Sequence, residues 1–182
     1  IDSATLINKI YEVIEAKNIF NITYNKIEIL IHPNSYVHAI IKSNNGMIKI
    51  IAHDTTMKIP IFNTLFFNTN KKLNTNNINI KLLNKLDFIK VDPKRFPMVK
   101  ILNFLSNKHS LYDTVIVAAN DALVDLYLKK QIKFTDIQKK LFLILKSRDL
   151  LKYKKIFPTK LNEIIELNKY VHLKVLEKVY KS

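Results

Sequence analysis

Cysteine is absent from the 182 residues, which excludes disulfides, thiolate zinc sites and a cysteine nucleophile and leaves the redox compartment open. There is no Trp and a single Gly. No run of eighteen apolar residues occurs, and the first residues show neither a charged n-region nor a signal-type apolar stretch. A soluble chain that neither spans nor crosses a membrane is expected. Acidic residues are scarce, 15 against 30 basic ones, for a net charge of +15. Such an excess raises the prospect of nucleic-acid binding, because clustered Lys and Arg release counterions from phosphates. Here the basic residues are nearly all Lys, scattered among abundant Asn and Ile without aromatic stacking positions on one face. We read the charge as compositional, lying on solvated faces. The hydrophobic share of 48% is enough for a real core in one ordinary domain or two small ones. Residue 1 is Ile, not Met, and the richest motif follows at once; we read the chain as a fragment.

Hydrophobic periodicity predicts an amphipathic helix over 3–17, with Leu6, Ile10, Val13 and Ile14 as its core face and Asp2 or Ser3 as its cap. Strands follow over 27–31, 37–42 and 47–51. The Asn45-Gly46 pair predicts a hairpin turn between the last two. Residues 63–85 are rich in Asn and Lys and read as a long loop with room for short elements. After Asp92-Pro93 and Phe96-Pro97 the pattern turns helical, over 98–107, 112–130, 135–146 and 159–180. In the last segment Leu161, Ile164, Ile165, Asn168, Val171, Val175, Leu176 and Val179 hold a 3.6-residue period, so a small helical bundle is expected.

Opposite the apolar face of the first helix lie Asn8, Lys9, Glu12 and Glu15. Ser3 stands where unpaired N–H groups and the helix dipole favour an anion. A nearby Lys and an Asn amide would complete a phosphate cradle, and Glu12, one turn on, could reach a divalent metal beside it. The same residues also suit an ordinary wet face with a Lys9/Glu12 pair. His32 and His38, six residues apart around a turn, form no metal signature. His53, His109 and His172 read as isolated. Asn120-Asp121, polar inside an apolar helix, reads as hydrogen bonding that fixes the bundle.

The order of these residues adds a resemblance. Asp2-Ser3-Ala4-Thr5-x-x-Asn8-Lys9-x-x-Glu12-x-Ile14-Glu15-Ala16, then Ile31-His32-Pro33-x-Ser35-x-x-His38, is similar to the 1-deoxy-D-xylulose 5-phosphate reductoisomerase family. Met57-Lys58-x-Pro60-Ile61, Arg95-Phe96-Pro97, Ala118-Ala119-Asn120-Asp121 and Phe134-Thr135-Asp136-Ile137 continue it to about residue 147. The resemblance implies that Ser3, Asn8 and Lys9 bind the substrate phosphate and that Glu12 completes the divalent-metal (Mg or Mn) and substrate site. It also implies that Ser35 and His38 flank the active site, His38 on the catalytic side and Ser35 toward the substrate, and that Met57 lies near the nicotinamide of NADPH. The family's metal holds the substrate's carbonyl and hydroxyl oxygens during a carbon-skeleton rearrangement, after which NADPH delivers hydride. The product is 2-C-methyl-D-erythritol 4-phosphate, an isoprenoid precursor. The sequence departs from the family at Ile10, where a Gly is expected, at Thr55-Thr56 for Pro-Asp, and at Phe67-Asn68 for Trp-Pro.

The expected fold is therefore α+β. Residues 1–85 form the trailing half of a catalytic α/β domain with antiparallel strands, 86–105 a linker, and 106–182 a C-terminal α-helical bundle. The resemblance implies a homodimer through the strands and a cytoplasmic (bacterial) or plastid location. The NADPH-binding domain, the other acidic metal ligands and the lid are expected upstream of residue 1, so this piece alone should bind phosphate weakly and catalyse nothing. Two other readings are a diverged, non-catalytic remnant retained for dimerisation and a basic nucleic-acid-binding module.

Overall fold

A computed structural model describes residues 1–180. Helices and short antiparallel strands alternate in the first half and helices alone fill the second, the α+β class expected. Two compact units emerge: Ile1–Ile29 with Asp92–Ser182, and Leu30–Val91. This grouping differs from a division at 85 and 105. The cause is the first long helix, whose apolar face packs into the same core as the C-terminal helices.

In the first unit, α1 (Asp2–Thr5) and α2 (Ile7–Phe20) replace the single helix expected over 3–17. Leu6 separates them with a left-handed backbone, φ 66°. A left-handed Leu costs about 1–2 kcal/mol, so its surroundings must hold it there. The kink changes the core face: Ile7, Ile10, Val13 and Ile14 are buried, while Leu6 is only half-buried. The expected Asp2 or Ser3 cap does not form, since α1 has no side-chain cap bond and both residues lie within it. The segment expected as a helix over 98–107 is a 3-10 helix, Pro97–Phe104.

Three long helices complete this unit, α5 (Tyr112–Leu128), α6 (Phe134–Leu145) and α8 (Leu161–Tyr180), with one-turn α7 (Arg148–Leu151) between the last two. Both α6 and α8 pack against α5. The two adjacent alanines Ala118 and Ala119 of α5 are buried, which lets neighbours approach closely on more than one side. In α8 the buried residues are Leu167, Val171 and Val175; Leu161 and Ile165, expected inside, are exposed. The 3.6-residue pattern was wider than the stripe that finds a neighbour.

One buried polar bond ties α5 to α6: the Tyr112 hydroxyl donates to the Leu145 carbonyl at 2.6 Å. Tyr112→Phe leaves that carbonyl without its donor. We expect a loss of about 1–2 kcal/mol, read as a lower denaturant midpoint at unchanged slope.

The second unit holds β1 (Leu30–Ile31) paired antiparallel with β4 (Ile89–Lys90), and β2 (Val37–Lys42) paired antiparallel with β3 (Ile48–Ala52). The strand expected over 27–31 shrinks to two residues, because only Leu30 and Ile31 find partners, Lys90 and Ile89; a 3-10 turn, Tyr24–Lys26, stands ahead of it. The expected hairpin is present with a three-residue loop. Gly46 N donates to Ser43 O and Ser43 N to Met47 O, so Asn44-Asn45 form the turn and Gly46, φ +85°, closes it. Gly supplies the left-handed step that follows such a turn at no steric cost. Between the two sheets' strands, α3 (Lys58–Leu65) and α4 (Ile80–Leu83) interrupt the Asn-rich stretch.

Candidate functional site

The polar face of α2 is where the sequence placed it. Lys9 Nζ lies 2.8 Å from both carboxylate oxygens of Glu12. The two side chains are 43% and 53% exposed. A pair so wet is worth about 0.2–1 kcal/mol, so Glu12→Gln should shift the thermal midpoint by only a degree or two. Thermal unfolding monitored by circular dichroism checks this. Loss of the fold would show that Glu12 is structural. Asn8 is half-buried and its Oδ1 is enclosed without a hydrogen-bond partner. Ser3 is exposed on α1, and its carbonyl accepts the Leu6 N–H. The left-handed Leu6 thus sets the direction in which Ser3 leaves the helix that carries Asn8, Lys9 and Glu12. Ile10, at the position where a glycine was expected, is fully buried in the helical core.

Beneath α1 lies a polar cluster that sequence reading saw only from one side. Asn120 of α5, with no exposed surface, donates from Nδ2 to an Asp2 carboxylate oxygen at 3.1 Å. Tyr11 lies beside Asn120, and burial, then the Asp121 and Asp2 carboxylates, push its phenol well above the usual tyrosine range. Burial also raises the Asp121 carboxyl, reinforced by Asp2 and Asp125 and opposed by His172. Tyr11 was missed. Its signal was a hydroxyl next to the apolar stripe of α2, readable only once the partner helix is known.

Ser35, His38 and Met57 belong to the other unit. The Ser35 N–H donates to the His32 carbonyl at 3.0 Å, closing the expected turn, and Ser35 takes φ 50°. His38 stacks on His53 with ring centroids 3.6 Å apart, and its Nε2 lies 3.3 Å from the His53 carbonyl. His53 is therefore not isolated as its position in sequence suggested. The other two also have neighbours: His109 meets the Phe157 ring edge-on, and His172 is near enough to Asp121 to favour its carboxylate. His32 uses Nδ1 on the Asp87 carbonyl, at 2.9 Å. Met57 precedes α3 and is 68% exposed. Near it, Asp54, Thr56, Lys58, Ile59 and Asn76 line a recess of about 140 Å³, in which Asn76 Nδ2 donates to Asp54 Oδ2 at 2.9 Å.

Among the described residues, no group of three or more His, Asp or Glu side chains could hold a metal ion. Glu12 is a single exposed carboxylate. Hard divalent cations need several oxygen ligands, so Glu12 fits such an ion as one donor among others.

A family model described as DXP reductoisomerase C-terminal domain matches residues 54–173. The 1-deoxy-D-xylulose 5-phosphate reductoisomerase of Pelagibacter ubique is 55% identical over 175 residues, 96% of this chain and 45% of that protein. That of a Sulfurihydrogenibium species is 38% identical over 156 residues, 86% of this chain and 41% of the relative. Among solved structures, the Zymomonas mobilis reductoisomerase in complex with NADPH superimposes with TM-score 0.80 at 28% identity, covering 98% of this chain and 46% of that one. A DOX-P reductoisomerase with fosmidomycin and magnesium gives TM-score 0.87 at 26% identity, with the same coverage. The chain spans less than half the length of each.

Proposed function

Because the chain belongs to the DXP reductoisomerase C-terminal domain family, we propose that it works as the C-terminal part of an NADPH-dependent enzyme converting 1-deoxy-D-xylulose 5-phosphate to 2-C-methyl-D-erythritol 4-phosphate. The observation that carries this reading is the Lys9–Glu12 pair, side by side on the open face of α2, with Asn8 on the same helix and Ser3 on α1 just before it. Lys9 supplies the positive charge for the substrate phosphate, and Ser3 and Asn8 supply neutral donors. Glu12 gives an oxygen to a divalent ion, magnesium or manganese. When bound, the ion polarises the substrate's oxygens and NADPH supplies the hydride.

Solved relatives carrying NADPH and magnesium support the cofactor assignment for this chain. From the resemblance, this reading assigns His38 a catalytic role, Ser35 a substrate-binding role and Met57 a place toward the nicotinamide. By role, residues 1–85 then close the catalytic part, 86–105 connect and 106–182 are the C-terminal helical part, although residues 1–29 fold onto the helical core. A cytoplasmic or plastid location goes with this chemistry; no helix among the described residues is long and apolar enough to cross a membrane.

The test is a chimaera in which this chain replaces the matching segment of the Pelagibacter ubique relative. NADPH oxidation dependent on 1-deoxy-D-xylulose 5-phosphate and a divalent ion is expected, and none from this chain alone. A folded chimaera that binds NADPH but never turns over would sink the reading.

A homodimer through the hairpin belongs to the same proposal. Strand pairing puts Ile40, Ile48 and Ile50 on one face of the β2–β3 hairpin and Ile41 and Ile51 on the other, and all five are exposed. A two-stranded ribbon with apolar residues on both faces is not stable bare in water. Ile48→Lys with Ile50→Lys should convert a dimeric chimaera to monomer, measured by light scattering; an unchanged mass would remove the hairpin from the interface. The same apolar hairpin also favours the second reading, a non-catalytic remnant kept for dimerisation, which the turnover assay separates.

A further inference from the structure

The phosphate-site turn has an anchor of its own in the helical core. Ser3 sits on α1, a single helical turn that lacks a side-chain cap and is followed by a left-handed Leu6. Local bonds within it, Thr5 N–H to the Ile1 carbonyl and Thr5 Oγ1 to the Asp2 carbonyl, fix its shape but not its direction. One turn of helix with few bonds is marginal by itself. From outside, a bond reaches it from Asn120, 118 residues away, whose Nδ2 holds the Asp2 carboxylate.

We propose that Asn120 is a positioning residue, holding Asp2 so that Ser3 is presented to the substrate phosphate, with Tyr11 as its brace. The inference rests on the assignment of Ser3 to phosphate. Asn120 is fully buried, and its Oδ1 and the Tyr11 hydroxyl are both enclosed without a partner at hydrogen-bond geometry. The two side chains are neighbours. Tyr11 thus stands against the same amide that holds Asp2, and the Asn120 side chain acts on its phenol. The surrounding charges explain why the residue is an amide. Asp2 and Asp121 already act on each other, so a third carboxylate in place of Asn120 would push Asp2 away and a Lys would be buried without room. An amide donates to Asp2 and adds no charge.

The experiment is an NMR titration of this chain with inorganic phosphate, following the backbone amides of Ser3, Asn8 and Lys9. In the parent, all three are expected to shift along one saturation curve. Asn120→Leu, which keeps the branched shape and removes the amide, should raise the apparent Kd about fivefold, the loss of one hydrogen bond's worth of placement, with the Ser3 shift abolished while that of Lys9 persists. Val175→Ala destabilises the same helical core without removing any polar partner of the turn; it should lower the melting temperature with the phosphate Kd unchanged. Asp2→Ala repeats the loss from the less buried side without touching the core, and Asp2→Asn, which keeps an acceptor for Asn120, should recover most of it. Heteronuclear relaxation gives an independent reading, with the amides of 2–5 gaining mobility in Asn120→Leu and not in Val175→Ala. A parent chain whose Ser3 and Lys9 amides ignore phosphate overturns the phosphate assignment, and the positioning role with it. Normal phosphate binding in the parent that is unchanged in Asn120→Leu and Asp2→Ala, with 2–5 still rigid, overturns the positioning role alone. A Kd that rises equally in Val175→Ala does the same.

Discussion

Glu12→Gln in the chimaera should lower kcat roughly 100-fold, the order seen when one group acting on developing charge is lost, and leave KM nearly unchanged. Lys9→Ala should do the opposite, raising KM for the phosphorylated substrate about 10–100-fold, as expected for one charge-assisted contact of about 1.5–3 kcal/mol, with a smaller effect on kcat. The contrast matters because the two side chains touch, Lys9 Nζ being 2.8 Å from each Glu12 oxygen. If the pair were only a surface ion bridge, removing either member would have the same small effect. If they serve different ends of one substrate, the parameters must split. Steady-state kinetics with substrate and metal varied separately gives the answer. Equal, negligible effects in an active chimaera would return both residues to a plain solvated face. Excess metal should partly restore Glu12→Gln and do nothing for Lys9→Ala, since only the former has lost a metal oxygen.

The order of residues along α2 was enough to find Lys9 and Glu12 together, because positions three apart on a helix share a face whatever surrounds it. The same reasoning found the β2–β3 hairpin from Asn45-Gly46, missing only that Gly46 follows the turn instead of forming its centre. It failed at Leu6. A left-handed Leu inside a helical pattern has no local signature, and its consequence, the exchange of Leu6 for Ile7 in the core, comes from packing. Asn120 was legible as a structural amide, but its partner Asp2 is 118 residues away and could not be named from one sequence. The exposed ends of α8 were overcalled for a related reason: periodicity gives the apolar face of a helix, and only a neighbour decides how much of it is covered.

A chain starting at Asp92, and so lacking residues 1–91, is expected not to melt cooperatively. The helical pattern after Pro97 reads as a bundle able to close by itself, yet Ile7, Ile10 and Ile14 of α2 are members of that bundle's core. Burial of a large aliphatic side chain is worth about 1.5–3 kcal/mol, so withdrawing three removes roughly 5–9 kcal/mol, an upper figure because unfolded chains already bury some surface. Whole domains are stable by only about 5–15 kcal/mol. The shortened chain should therefore keep helical far-ultraviolet circular dichroism, since α5, α6 and α8 remain, but lose a sharp thermal transition and bind a hydrophobic dye. Adding a peptide of residues 1–29 should restore the transition, and Ile10→Asp in that peptide should abolish the rescue. A sharp, full-amplitude melt of the shortened chain alone would show that α2 is a passenger on the helical unit. The functional consequence follows from the same packing. Ile10 faces the core one residue after Lys9 and two before Glu12, so the helix that carries the proposed phosphate and metal ligands cannot shift without opening the C-terminal core.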